Sequence, residues 1–248
     1  MADATPRAGA IVYGPVQSRR LGASLGIDLL PPRSKPCELD CPYCHCGFTT
    51  PRAPRDRWPS PDEVGQALRR SLERAAEAPD WITLSGRGEP TLHPRFAVAV
   101  DRILAARDAL APAVPVAILS NGLAAAAPPV RDALLRLDAR IMKLDPGPAD
   151  RVNGVAWDAE RVARSYHALA PVTVQAMVVR GPGWDGSSDE SLAGWLPLVT
   201  LAQPEAVQLT TLSRPPADSR VENVPRERLH RMARATAEAL PRTIVRIV

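Results

Sequence analysis

Four cysteines fall within ten residues, Cys37, Cys41, Cys44 and Cys46, in the run Pro-Cys-Glu-Leu-Asp-Cys-Pro-Tyr-Cys-His-Cys, and the rest of the chain has none. Clustered cysteines in a chain expected to work in a reducing cytosol read as a metal site before they read as disulfides. Three chemistries compete for them. A zinc ribbon closes a tetrahedron with two ligand pairs from separate segments; the second pair is missing here, so zinc would need His45 or Cys46 as a local fourth ligand. A redox pair is present at Cys41 and Cys44 but leaves Cys37 unexplained. A three-thiolate holder uses Cys37, Cys41 and Cys44 together: a short loop around a cubic [4Fe–4S] cluster reaches three irons and leaves the fourth open to a small molecule. Cys46 lies too close to Cys44 to serve that far corner, and it is read, like His45, as a packed or incidental side chain.

Polar residues then close one apolar run after another. Trp81–Ser85 leads into Gly86-Arg87-Gly88-Glu89-Pro90-Thr91, where glycine permits close backbone approach to a ligand or simply makes a turn. Ser120-Asn121-Gly122 ends the next run with a hydroxyl and an amide able to meet a carboxylate or a ribose, or to form a turn. Lys143 and Asp145 end the one after. The lysine points into a barrel or snorkels at its rim; the aspartate binds ribose hydroxyls or turns the chain with Pro146 and Gly147. In Val172–Val179 a period of two puts Thr173, Gln175 and Met177 on one face, and Gln175 needs polar partners there.

The spacing Cys-x3-Cys-x-Tyr-Cys resembles the hallmark of the radical S-adenosylmethionine (SAM) superfamily. Gly14–Gly22, Ser24–Gly26, Gly88–Pro94, Ser120–Gly122 and Lys143–Asp145 look like the branch of iron–sulfur oxidoreductases related to the wyosine-forming tRNA enzymes. The resemblance implies that Cys37, Cys41 and Cys44 hold a [4Fe–4S] cluster. It also implies that SAM chelates the open iron and is cleaved to methionine and a 5′-deoxyadenosyl radical, which abstracts hydrogen from a substrate. Gly88, Glu89 and Pro90 correspond to the segment that holds the amino group of SAM. Ser120, Asn121, Lys143, Asp145 and Gln175 are the remaining candidates for the SAM or substrate pocket. No flavin domain is visible, so an external donor such as flavodoxin or ferredoxin has to supply the electron. Wyosine-forming relatives carry additional cysteines that this chain lacks, so a small metabolite or peptide is the expected substrate. A tRNA-modifying or glycyl-radical-activating enzyme is the alternative within the family, and a zinc-stabilised binding module the alternative outside it.

The elements that must position these residues alternate. Ser60-Pro61-Asp62-Glu63 is a capping box with proline at the first helical position, and Val64, Leu68, Leu72 and Ala75 follow at helical spacing, which predicts a helix over 61–78. Apolar runs at 26–30, 81–85, 114–120, 139–144, 172–179 and 206–210 read as strands, with helices expected near 94–108, 128–138, 157–169, 189–202 and 225–240. Six strands alternating with helices predict parallel pairing in an α/β fold, a partial (β/α)6 barrel, with polar motifs at the C-terminal strand ends where such barrels carry their chemistry. Thr243–Val248 suggests an added edge strand. The glycine-rich stretch from Arg180 to Ser188 reads as a mobile lid. With Thr210–Pro216 it is where substrate selectivity is expected. Ser18-Arg19-Arg20 packs near the mouth, where an arginine pair suits anionic groups, or binds only backbone carbonyls.

The chain has 248 residues, and no linker splits it, so one domain is expected, with a core over about 22–215 and a C-terminal helix and strand over 225–248. Hydrophobic residues make up 45% and charged residues 23%, which argues against a disordered chain. The net charge of +4 comes from 31 basic and 27 acidic residues, interleaved, so charge gives no support for a nucleic-acid footprint. No apolar run approaches the roughly 18 residues of a membrane span, and a cytoplasmic protein is expected.

Overall fold

A computed structural model describes residues 10–53 and 55–248. The chain divides into two units. The first gathers the described residues up to Glu38 with Thr49–Ser120 and Ala126–Arg140; the second gathers Leu39–Phe48, Asn121–Ala125 and Ile141–Val248. The cysteine motif is therefore shared by sequence: Cys37 belongs to the first unit, Cys41, Cys44 and Cys46 to the second.

In the first unit β1 (Val12–Ser18) turns back on β2 (Gly22–Ile27) as an antiparallel hairpin, and β2, β3 (Trp81–Leu84) and β4 (Val116–Ser120) run parallel. Helix α1 (Pro61–Arg74) starts where the sequence predicts. Ser60 accepts from the Glu63 backbone N–H at 3.2 Å while the Glu63 carboxylate takes the Ser60 N–H at 2.8 Å. It stops at Arg74, four residues earlier than expected, as Ala75 leaves helical geometry. Helices α2 (Phe96–Leu110) and α3 (Pro128–Leu134) complete the unit. Leu25, Ile27, Val64, Leu68, Ile82, Leu84, Val100, Ile103, Val116 and Ile118 are all buried and form its core.

The second unit carries the parallel strands β5 (Ala139–Lys143) from Ile141 onward, β6 (Thr173–Met177), β9 (Ala206–Thr210) and β11 (Ile244–Ile247); Ile141↔Thr173, Thr173↔Ala206 and Ile244↔Ala206 set the register. Between them lie α4 (Ala149–Val152), α5 (Ala159–His167) and α6 (Asp189–Ala202), and α7 (Arg226–Ala239) precedes β11. Val174 and Ala176 are fully buried while Thr173, Gln175 and Met177 are half-buried, so the alternation predicted for β6 holds.

Parallel pairing and the alternation of strand and helix are thus as the sequence predicts. Two segments differ. The strand expected at 26–30 lies at Gly22–Ile27, because the Asp28 carboxylate accepts the Leu30 N–H and two prolines follow. The segment expected as a mobile lid holds β7 (Val179–Gly181) and β8 (Trp184–Asp185), a hairpin that gains a third strand from β10 (Glu222–Asn223) and an ion pair between Arg180 and Glu222. Ser18 caps the β1–β2 turn by accepting the Arg20 and Leu21 N–H groups, and Arg19 and Arg20 are exposed. Among the described residues no helix is long and apolar enough to cross a membrane.

Candidate functional site

The approach to the cysteines is built in the first unit. Asp28, at the end of β2, is buried and accepts Arg87 Nε at 2.8 Å. The two terminal nitrogens of the same guanidinium donate to the carbonyls of Pro32 and Pro31 at 2.9 and 2.7 Å. One planar cation thus ties the end of β3 to the chain that leads to Cys37. Burial pushes the Asp28 carboxyl above its ordinary range, and the Arg87 hydrogen bond and charge oppose that shift. Further along, Asp56 accepts the Arg33 N–H and the Ser34 hydroxyl, and Lys35 pairs with Thr50 through its N–H and C=O.

Gly88 belongs to the same clamp. A side chain there would bring its Cβ to 2.2 Å from the Pro36 carbonyl, so the position requires glycine for close backbone approach. Glu89 N–H donates to that carbonyl at 3.1 Å. The Glu89 carboxylate is buried; its Oε1 accepts the Thr91 N–H and hydroxyl and the Ser120 hydroxyl, the last at 2.8 Å. Pro90 opens a single turn of 3-10 helix capped by Glu89. Gly88, Glu89, Pro90 and Ser120 are therefore brought together, with the Glu89 side chain turned inward as a cap. His93, next in line, is buried: Nδ1 accepts Arg95 N–H while Nε2 meets the Pro59 carbonyl, which makes the neutral ring with Nε2–H the consistent tautomer. Burial pushes its pKa below the ordinary value.

The second unit holds the rest of the motif. Cys44 N–H donates to the Cys41 carbonyl at 3.0 Å, a tight turn that puts the two cysteines on one loop. Asp145 is the hub beside it. Its Oδ2 accepts the Tyr43 hydroxyl, Lys143 Nζ and, at 2.9 Å, Asn153 Nδ2; its Oδ1 accepts Met177 N–H at 2.8 Å. Lys143 Nζ also lies 4.3 Å from the centre of the Tyr43 ring, a cation–π contact. The aromatic residue of the motif is thereby fixed at both its hydroxyl and its face. Lys143 and Asp145 are brought together, and each spends its charge on the other and on Tyr43.

Asn121 joins this unit through Tyr166, whose hydroxyl lies 3.1 Å from the Asn121 carbonyl and 2.7 Å from that of Lys143. Gln175 is in register with Lys143, and its amide donates to Gln208 across the β6–β9 pair at 3.3 Å. The structure does not bring Gln175 into the Asp145 network. Cys41 is buried, the other three cysteines are half-buried, and His45 is exposed. Burial pushes the Cys41 thiol up, with Asp145 and Cys44 adding to the rise and Lys143 and Asn153 opposing it. Sequence reasoning missed Asp28, Arg87, Asn153, Trp157 and Tyr166. The local signal for Asn153 is the Asn-Gly pair at 153–154, which marks a turn.

The radical SAM superfamily model matches residues 33–153, which span the cysteine motif, the Gly88–Pro90 segment, Ser120, Lys143 and Asp145. A UPF0026 protein of Synechocystis sp. (slr1464) is 31% identical over 217 residues, 82% of this chain and 76% of the relative. The chain belongs to the UPF0026 family, within the radical SAM superfamily. A second UPF0026 relative, from Helicobacter pylori (strain 26695), is 28% identical over 217 residues, 83% of this chain and 67% of its own. Among solved structures, Streptococcus suis SuiB bound to S-adenosylmethionine aligns with a TM-score of 0.62 at 13% identity, over 90% of this chain and 50% of that one. SuiB bound to its precursor peptide SuiA aligns with a TM-score of 0.61 over 90% and 48%. These likenesses show the fold, that of radical SAM enzymes, and this chain spans about half the length of the SuiB chains it matches.

Among the described residues no three His, Cys, Asp or Glu side chains are gathered as a closed metal site. The fit of this radical SAM chain to an iron–sulfur cluster rests on its donor set. Three thiols stand at the superfamily spacing, and the sulfur of Cys41 faces an amide N–H of Asn153 at 3.7 Å, a contact that favours a ligated thiolate.

Proposed function

We propose that Cys37, Cys41 and Cys44 hold one [4Fe–4S] cluster and that the protein cleaves SAM reductively. When bound, the cluster supplies one electron to SAM, giving methionine and a 5′-deoxyadenosyl radical that abstracts hydrogen from the substrate. The observation that supports this reading is the motif loop with Tyr43 held on Asp145 and Lys143, since fixing the residue between Cys41 and Cys44 steadies the loop that carries both thiols. In this scheme the Gly88–Pro90 backbone, Ser120 and Asn121 contact SAM, Gln175 contacts SAM or substrate, and Lys143 and Asp145 orient Tyr43. The Glu89 carboxylate serves the pocket by holding Ser120 and Thr91.

An external one-electron donor of the flavodoxin or ferredoxin type reduces the cluster. The substrate is a peptide or a small metabolite; the peptide is supported by the shared fold with SuiB, which has been seen bound to a precursor peptide. The test is anaerobic reconstitution with iron and sulfide, followed by SAM and dithionite. The wild type should release 5′-deoxyadenosine, and Cys41→Ala should lose both iron and product. A folded, iron-loaded wild type that releases none, or stoichiometric zinc after oxygen-free purification, overturns the reading.

A further inference from the structure

Asn153 caps the short helix α4, is 1% exposed, and has its carboxamide surrounded on every polar side. Trp157 Nε1–H donates to its Oδ1 at 2.9 Å. That contact decides which end of the amide is which: the oxygen faces the indole, so the NH2 group faces the other way. Its two protons there meet two acceptors, Asp145 Oδ2 at 2.9 Å and Cys41 Sγ at 3.7 Å, the latter an ordinary N–H···S separation given the radius of sulfur. The backbone holds the group in place as well. The Asn153 carbonyl accepts the Asp40 N–H at 2.8 Å, just before Cys41. Gly154, at φ +73°, lies so close that a Cβ would stand 2.3 Å from the Asp40 carbonyl.

We propose that Asn153 is a positioning residue that donates a hydrogen bond to the Cys41 thiolate and raises the reduction potential of the cluster, with Trp157 fixing its orientation. The inference rests on the cluster assignment made above. Reduction adds one electron, taken from the external donor, to a cluster whose charge is spread over its sulfurs. A fixed N–H dipole aimed at one of them stabilises the more negative state more than the less negative one. Its effect is greatest where the surroundings are dry, and Cys41 is the buried cysteine of the motif.

The experiment is an EPR-monitored redox titration of reconstituted wild type, Asn153→Ala and Trp157→Phe, with iron counted per folded chain. At equal iron, Asn153→Ala should titrate at lower potential by about threefold or more in the reduction equilibrium, ~30 mV for a one-electron couple. Trp157→Phe should shift in the same direction by less. Pulsed EPR should show an exchangeable proton near the cluster, lost in deuterated buffer and weakened in Asn153→Ala. An unshifted or raised potential in iron-loaded Asn153→Ala overturns the proposal. If that variant fails to fold or to load, Trp157→Phe decides alone, and an unshifted potential there has the same force. A wild type with no reducible cluster would instead sink the parent reading, so the two failures are told apart.

Discussion

The run entering the cysteine motif, Pro31–Pro36, and the motif's second half, Cys41–Cys44, are both anchored by a buried aspartate, yet by different chemistry. At Asp28 one carboxylate holds one guanidinium, and the guanidinium grips backbone carbonyls; what is fixed is main chain. At Asp145 one carboxylate collects a phenol, an ammonium, a carboxamide and a backbone N–H; what is fixed is side chains, among them the motif's own Tyr43. A planar five-donor cation suits the first task because carbonyls along a chain present a fork-shaped target. A carboxylate with its several lone pairs suits the second, because side chains arriving from several segments need one shared acceptor. The first region should therefore respond to damage through stability, and the second through the properties of the cofactor site.

The largest effect is expected from Asp145→Ala, which leaves four donors without their acceptor. At roughly 1–3 kcal/mol per buried unsatisfied group, partly relieved by water, a loss of about 4 kcal/mol is expected in urea unfolding, with weakened iron retention even in the folded fraction. Asp28→Ala should cost about 3 kcal/mol, since it strands a mostly buried arginine, but iron per folded chain should match the wild type. Iron loss in Asp28→Ala, at full folding, would erase the contrast between the two regions. Gly154→Ala combines a left-handed backbone with a clash against Asp40 and should cost about 2 kcal/mol, accompanied by altered EPR line shape. Ser60→Ala, which removes the α1 cap far along the chain from both, should cost about 1 kcal/mol and leave the EPR spectrum unchanged.

The smallest effect is a pH dependence in the first region. The folded His93 resists protonation, so its pKa lies below the 6.5 of the unfolded chain. The unfolded state binds the extra proton first, and the stability His93 contributes is complete above that value and lost as pH falls through and below it. Denaturant midpoints at pH 7.5 and 5.5 should differ more for the wild type than for His93→Gln. An equal difference in both would show that the ring titrates freely.

Much of this was legible in the residues. The parallel strands were visible because buried strands read as short apolar runs, and α1 because a capping box is a local device whose energetics involve only neighbours in sequence. The cysteine spacing was legible for the same reason: a single loop carries all three thiols. The Asp145 network was not, since Tyr43, Asn153 and Met177 reach it from positions 102, 8 and 32 residues away. The glycines of 180–188 signal a turn, while the third strand that pairs with the β7–β8 hairpin comes from residues 222–223, too far along the chain to be seen from the turn itself.

The α/β alternation, the family and the three-thiol motif are written in contiguous residues, whose types and spacing carry the physics. The tertiary structure decided which polar groups spend their hydrogen bonds inside the protein. Glu89, Lys143 and Asp145 look available to a ligand when read in line, and in three dimensions they have partners among the chain's own side chains and backbone N–H groups. That allocation depends on distance and burial, since a buried charge must find donors wherever the fold brings them, and sequence separation does not enter.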